Sequence, residues 1–430
     1  MKNIIFYIFS FLFTLTLWAQ EKSLLQPGTY SGVFEKGNFK DDISFTLQKE
    51  NEIWTVSFTS LKQNAIGIPA RQVSVIKDSI SFILQSDRYT YIFKNKWEST
   101  SQRLKGTLFV DEEQVSYSLI QETSVGSASY NKEEVTFHNM DLKLSGTIYR
   151  PDNPNGNALV FLTSSGGGDR SGSRAEAIYF AKKGITTFHY DKRGTGQSEG
   201  NWQTAKMDDL VEDDINAITF LSNATGISLS EIGIKGSSQG ATKIPYLLFK
   251  MPSLAYGIAV SCPASSLLES DLNAWKNANS DKLGDDLEAA ANLQRKVFQY
   301  IGGLIAKEEL EKAISENESA SWFTAVWIPN LDEVVIDPKL SYSPMTYFDK
   351  VKQPLLLIQG SKDEIIPLES HAIISSAIKP SKNEDYQLVL LENANHSMYF
   401  VGESDFPYWA ALHPEYLEAL VNWLEQITGS

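Results

Sequence analysis

Two rhythms of apolar and polar residues divide this chain. Over residues 28–121, short runs alternate apolar and polar positions with a period of two, as in Ile43-Ser44-Phe45-Thr46-Leu47, Trp54-Thr55-Val56-Ser57-Phe58 and Tyr89-Thr90-Tyr91-Ile92-Phe93. Turn residues separate the runs, so the pattern predicts an antiparallel β barrel or sandwich over residues 24–125. Nothing in this stretch groups the residues of a catalytic constellation. Residues 124–130, rich in Ser with one Gly, read as a linker.

From residue 131 the pattern changes. Residues 134–138 and 142–149 read as a leading hairpin, and strand and helix signals then alternate. Ala158-Leu159-Val160-Phe161-Leu162 is an unbroken apolar run, as a strand covered on both faces requires. Residues 174–183 read as a helix and 185–190 as a strand; residues 208–222 form an amphipathic helix with Val211, Ile215, Ile218 and Leu221 on one face. Strands follow at 231–235, 255–261, 354–359 and 386–391, with a helix interrupted near Pro245 and a closing helix at 414–427. This alternation predicts an α/β domain over residues 131–430, a mostly parallel sheet with helices on both faces and its site at the carboxyl ends of the strands. One segment breaks it: residues 263–345 carry helical sequence, notably 286–305 and 307–315, and are predicted to form a lid insertion. Trp275, Trp322, Phe323 and Trp327 within it either line a pocket or build the insertion's own core.

Composition bounds the setting. With 430 residues, 42% hydrophobic and 21% charged, the chain is long enough for two or three domains with a sizeable core. Lys2, the apolar run 4–17 and Trp18-Ala19-Gln20-Glu21-Lys22 match an export signal over residues 1–19, cleaved after Ala19 or Gln20. The apolar run is shorter than the roughly 20 residues a membrane helix needs. An exported protein, periplasmic or extracellular and with no membrane span in its mature form, is therefore expected. Cys262 is the single cysteine, so no intramolecular disulfide can form, and it reads as a small buried apolar residue. A net charge of −15 without a basic cluster argues against nucleic acid or anionic membrane as a partner.

The candidate chemistry centres on Gly236-Ser237-Ser238-Gln239-Gly240, a G-x-S-x-G lying between strand and helix signals. That context makes it a nucleophile elbow, in which glycines permit a turn tight enough to hold Ser238 strained and exposed. The backbone N–H of Gln239, next in sequence, is then placed to meet an oxyanion. A serine nucleophile needs a base, and the base an orienting carboxylate. Of five histidines, His396 follows the last strand in Asn393-Ala394-Asn395-His396-Ser397, while His138, His189, His371 and His413 fall in the hairpin, a strand end, a helix and a helix start. Asp363, in the loop after the preceding strand, is the matching acid, with Glu364 as the alternative. A second oxyanion donor is expected from the glycine-rich Thr163-Ser164-Ser165-Gly166-Gly167-Gly168, at Ser165 or Gly166. No Lys-Ser/Thr follows those glycines, which sets a phosphate loop aside.

Together the elbow, Tyr190-Asp191-Lys192-Arg193-Gly194-Thr195-Gly196-Gln197-Ser198, the 360–367 loop and Asn395-His396 resemble the α/β-hydrolase superfamily. More narrowly they are similar to secreted bacterial esterase-like serine hydrolases with an N-terminal β domain. The resemblance covers residues 131–430 and implies that the Asp191–Ser198 turn is structural, shaping the floor of the site. Ser237 stands where such elbows usually carry His, and Ser-Ser-Gly-Gly replaces the usual Gly-Ser-Gly-Pro. The implied reaction is hydrolysis of a small-molecule acyl ester through an acyl-enzyme on Ser238, needing no metal or cofactor. Peptidase action of the serine aminopeptidase kind, or thioester cleavage, is the alternative on the same fold. An aminopeptidase would need a carboxylate for the substrate's amine, and Glu288, Glu308 and Glu311 are either that anchor or a solvated helix face. A non-catalytic binding protein is the alternative of another class, and the sequence sets no oligomeric state.

Overall fold

Nine strands open the chain in the computed structural model, which describes residues 25–86, 88–122 and 129–429. The export signal read at 1–19 and residues 123–128 of the linker lie outside the described residues. The strands are β1 (Gly28–Lys36), β2 (Phe39–Glu50), β3 (Ile53–Ser60), β4 (Ala65–Pro69), β5 (Arg71–Ile76), β6 (Ser79–Gln85), β7 (Thr90–Glu98), β8 (Arg103–Val110) and β9 (Glu113–Gln121). They form one antiparallel sheet in the order β4-β3-β2-β1-β9-β8-β7-β6-β5. The period-two pattern has a direct cause: along β7 exposed and buried positions alternate, and the inward side chains meet Phe45, Phe82 and Tyr117 in a packed aromatic core. By internal packing the chain divides into two units. One holds the residues up to Phe34, Ser44–Phe58 and Pro69–Glu122; the other holds Glu35–Ile43, Thr59–Ile68 and the chain from Thr123 onward.

The second unit is built on eight strands: β10 (Tyr130–Asn139), β11 (Leu142–Pro151), β12 (Ala158–Phe161), β13 (Thr186–Tyr190), β14 (Ile232–Ser237), β15 (Tyr256–Val260), β16 (Leu355–Gly360) and β17 (Tyr386–Leu391). Their order is β10-β11-β13-β12-β14-β15-β16-β17, with β10, β11 and β13 joined antiparallel and the remaining pairs parallel. Strands β12, β13, β15 and β16 are buried at every position, which is why β12 and Leu355–Ile358 of β16 read as unbroken apolar runs, while β13 buries the polar Thr186, Thr187 and His189. The helices are α1 (Arg174–Lys182), α2 (Met207–Thr225), α3 (Gln239–Lys250), α4 (Leu267–Leu283), α5 (Leu287–Ile301), α6 (Lys307–Asn317), α7 (Met345–Phe348), α8 (Ser370–Ile378) and α9 (Tyr416–Thr428). Alternate residues of each strand serve two cores. Val160, Ile234 and Leu357 pack with Val211, Ile218 and Ile244 of α2 and α3, while Leu159, Phe161 and Ile258 pack with Phe180 of α1 and Leu420 and Trp423 of α9.

One local expectation needs correction. Helix α3 runs without a break through Pro245. Proline removes one backbone donor there, and burial of Ile244, Leu247 and Leu248 holds the turn that this loss weakens. Helix α4 falls within residues 263–345, whose helical sequence does not mark it out as a separate helix; its buried residues Leu267, Leu268, Ser270 and Leu272 lie in its first turns. Helices α4 to α7 lie between β15 and β16. Trp275, Trp322 and Phe323 pack on its own small core of Ala290, Leu293, Val297, Leu310, Ala313 and Val326, and Trp327 is exposed. Cys262 is buried, as its reading required. Among the described residues no helix is long and apolar enough to cross a membrane.

Candidate active site

Strand β14 runs directly into α3, and the residue between them is Ser238. Ser238 is the N-cap of α3 with φ 53° and ψ −122°, a conformation that side chains with a Cβ rarely adopt. Its amide donates to the carbonyl of Val260 at 2.9 Å, and its carbonyl accepts the first bonds of α3 from Ala241 and Thr242. The turn is as tight as the motif demands. A Cβ on Gly236 would sit 2.3 Å from the carbonyl carbon and oxygen of Gly240, and one on Gly240 would sit 3.1 Å from the carbonyl oxygen of Thr163. The backbone is therefore closed around the serine, and its hydroxyl forms no hydrogen bond among the described residues.

His396 and Asp363 meet. The imidazole Nδ1 faces both carboxylate oxygens, at 2.9 and 3.0 Å, which places the proton on Nδ1 and leaves Nε2 as the acceptor. Asp363 Oδ1 also accepts the amides of Ile365 and Ile366, at 2.9 and 2.8 Å, so the turn after β16 fixes the carboxylate. Its side chain is 1% exposed and that of His396 11%. Glu364, the alternative acid, accepts only the main-chain amide of His396, at 3.2 Å, and does not meet the ring. The elbow and the histidine loop are linked by adjacent residues. Val260 accepts from the Ser238 amide, and the hydroxyl of Ser261 donates to the carbonyl of His396 at 2.8 Å.

The other histidines are placed elsewhere. His189 is buried in β13 against the hydroxyl of Ser173, and burial holds its pKa down to about 3. His371 is lowered to about 4 by burial in α8, His413 faces the carbonyl of Glu392, and His138 lies exposed on β10.

Ser238 opens into a cavity of about 260 Å³ that Ser165, Gly166 and Gln239 also line. The amides of Ser165, Gly166 and Gln239 make no hydrogen bond within the protein among the described residues, so three donors stand unused in the cavity that Ser238 lines. The insertion closes the other side with Leu267, Ser270, Asp271, Asp337 and Leu340. Several residues here escaped the sequence reading. Trp202 lines the cavity from an irregular stretch after the Asp191–Ser198 turn, and no local pattern marks it. Asp271 comes from α4; desolvation, helped by the charge of Asp337, pushes its pKa up to about 6. Lys339 pairs with Asp337 at 2.7 Å and caps the carbonyls of Trp202, Gln203 and Ala205. By contrast Glu288 and Glu311 pair with Lys276 and Lys307 at the surface, Glu308 is exposed, and none of the three lines the cavity. Among the described residues no cluster of His, Cys, Asp and Glu is arranged to hold a metal ion.

A family model described as X-Pro dipeptidyl-peptidase (S15 family) matches residues 116–398, a span that contains Ser238, Asp363 and His396. A polyketide transferase of Penicillium crustosum is 33% identical over 117 residues, covering 26% of this chain and 38% of that protein. The chain thus spans less than half of that relative's length. A bifunctional esterase/perhydrolase of Acinetobacter calcoaceticus is 20% identical over 203 residues, 45% of this chain and 70% of its own. An esterase of Pyrococcus furiosus aligns in three dimensions at 18% identity with a TM-score of 0.47, covering 71% of this chain and 95% of its own.

Proposed function

Because this chain belongs to the X-Pro dipeptidyl-peptidase (S15) family, we propose that it acts as an exported serine esterase through an acyl-enzyme on Ser238. It is a serine hydrolase on an α/β-hydrolase fold. The observation that carries the finer reading is the cavity, where a strained serine and three unused amides meet, with Val260 and Ser261 tying the elbow to the loop that holds the His396–Asp363 pair. Ser238 Oγ attacks the acyl carbonyl, His396 Nε2 takes its proton, and Asp363 holds the imidazole in the tautomer that can accept it. The amide of Gln239 and one from the Ser165–Gly166 loop meet the oxyanion as charge develops. Collapse expels the alcohol, which receives the proton back from His396, and water repeats the sequence on the acyl-enzyme. The insertion acts as a lid, since Leu267, Ser270, Asp271, Asp337 and Leu340 close the cavity. Ser238→Ala is expected to abolish hydrolysis of p-nitrophenyl acetate while leaving the circular dichroism spectrum unchanged; retained turnover would remove Ser238 from this role.

A second reading, cleavage of an amide beside a free amine, is favoured by one observation. Asp271 lines the cavity and has no ion-pair partner among the described residues, so it offers a carboxylate to an ammonium group. Side-by-side rates on p-nitrophenyl acetate and an X-Pro p-nitroanilide separate the two. Ester turnover alone supports the first reading, and anilide turnover that Asp271→Asn weakens supports the second.

A further inference from the structure

Four lysines in the second unit are almost fully buried: Lys192 at 2%, Lys235 at 4%, Lys243 at 0% and Lys339 at 2% exposure. A buried ammonium is costly unless a carboxylate compensates it. Three are compensated, Lys235 by Glu176 at 2.7 Å, Lys243 by Asp214 at 2.8 Å and Lys339 by Asp337 at 2.7 Å. Lys192 has no carboxylate at ion-pair distance among the described residues, because the neighbouring Asp191 is taken by Arg170. Its ammonium instead donates to the carbonyl of Ser164 at 2.7 Å and to that of Gly166, and lies 4.7 Å from the centre of the Trp202 ring. An uncompensated buried charge is thus spent on the loop that lines the nucleophile's cavity.

The covalent geometry of that loop gives the arrangement a direction. In a trans peptide the C=O and the following N–H point to opposite sides, and no peptide among the described residues is cis. The carbonyl of Ser164 belongs to the same peptide unit as the amide of Ser165. Drawing that carbonyl onto Lys192 therefore turns the Ser165 N–H away from the lysine. That amide has no partner in the protein, Ser165 lines the cavity with Ser238 and Gln239, and Lys192 does not line it. The hydroxyl of Ser164 donates to the carbonyl of Ser237 at 2.9 Å, and Lys243 donates to the hydroxyl of Thr163 at 3.1 Å, tying the same loop to the elbow and to α3. A cation on the carbonyl also polarises the peptide and strengthens its N–H as a donor.

We infer that Lys192 is a positioning residue for acyl transfer: it aims and polarises the Ser164–Ser165 peptide so that the Ser165 amide, rather than that of Gly166, is the second oxyanion donor. The inference rests on the acyl-enzyme reading of Ser238 and adds to the sequence reading, which left the two amides open and took the Asp191–Ser198 turn as structural. Burial, together with the charges of Lys243 and Lys339 and against that of Asp337, lowers the Lys192 pKa to about 8. The charge on the peptide is therefore lost as pH rises through that value.

The test is steady-state hydrolysis of p-nitrophenyl acetate by the wild type, Lys192→Met and Lys192→Gln from about pH 6 to pH 10, together with inhibition by a short alkyl trifluoromethyl ketone, whose hemiketal carries the oxyanion. Lys192→Met is expected to lower kcat by about 30–300-fold with KM changed less than about threefold, and to weaken the ketone by a similar factor. The wild type should lose kcat on an alkaline limb near pH 8 that is absent from the variant. Should Lys192→Met not fold, Lys192→Gln, which keeps a neutral donor, gives the same comparison. An alkaline limb that survives in the variants, or a kcat within threefold of wild type, overturns the inference. The acyl-enzyme reading fails on a different result, turnover retained by Ser238→Ala.

Discussion

Backbone strain at Ser238 has a measurable size. Its φ of 53° with ψ −122° lies in territory that glycine occupies freely and a residue with a Cβ does not. A residue held in such a region costs about 1–3 kcal/mol. Ser238→Gly removes that cost, while Ser238→Ala keeps the Cβ and so keeps the strain; neither loses a side-chain hydrogen bond, because the serine hydroxyl makes none. Glycine also gives back about 0.5–1 kcal/mol through the greater freedom of the unfolded chain. The glycine variant is therefore expected to be more stable than the alanine variant by roughly 0.5–2 kcal/mol. With a urea slope near ~2 kcal/mol per molar, the midpoint should rise by about 0.3–1 M. Urea titration followed by ellipticity at 222 nm is the suitable assay, because the described α-helices all belong to the second unit and the signal reports that unit. Both variants should be inactive. If glycine proves no more stable than alanine, the elbow stores no strain and the conformation of Ser238 has another origin.

Three further outcomes are expected. Asp363→Asn would present an amide to His396 Nδ1 and reverse the tautomer, so kcat for p-nitrophenyl acetate should fall about 10⁴-fold with little change in melting temperature. Gly236→Ala places a Cβ 2.3 Å from the Gly240 carbonyl, and thermal melting with soluble yield should show a loss of at least about 1–3 kcal/mol. Asp271 has a folded pKa raised to about 6, above its unfolded value, so the folded state favours the neutral acid; the stability this gives is complete below about pH 4 and is lost as pH rises through 6. Asp271→Asn should accordingly melt above wild type at about pH 8 and show no such advantage near pH 4, and a constant difference at both values would contradict the assignment.

The parts of this protein that were legible in its sequence are those where a local pattern carries its own physical cause. Ala158-Leu159-Val160-Phe161 reads as a strand because both faces are covered, and Gly236 and Gly240 mark the elbow because no Cβ fits there. Asp363 and His396 were found by position, each being set in the loop after a recognisable strand, and the structure joins them. What stayed hidden depends on neighbours far along the chain. Trp202 and Lys192 are ordinary residues until the 163–166 loop packs on them, and Asp271 gains its character only when α4 and Asp337 enclose it. Helix α3 ignores its proline because tertiary burial outweighs one missing bond. Of the two readings open for the aromatic residues of the insertion, Trp275, Trp322 and Phe323 take the second and serve its own core.

Ser238, Asp363 and His396 hang from the ends of β14, β16 and β17, and the parallel pairing that brings those ends together is completed by the last strand of the sheet. In the order of synthesis the nucleophile emerges first and its base last, with the helical insertion made between them. The elbow on its own is an unactivated hydroxyl. Reactivity therefore depends on the final third of the chain, and an unfinished or clipped molecule lacking β17 carries the serine without the means to use it. On the acyl-enzyme reading, hydrolytic activity would double as a completion signal, reporting that β16, β17 and the loops after them are in place.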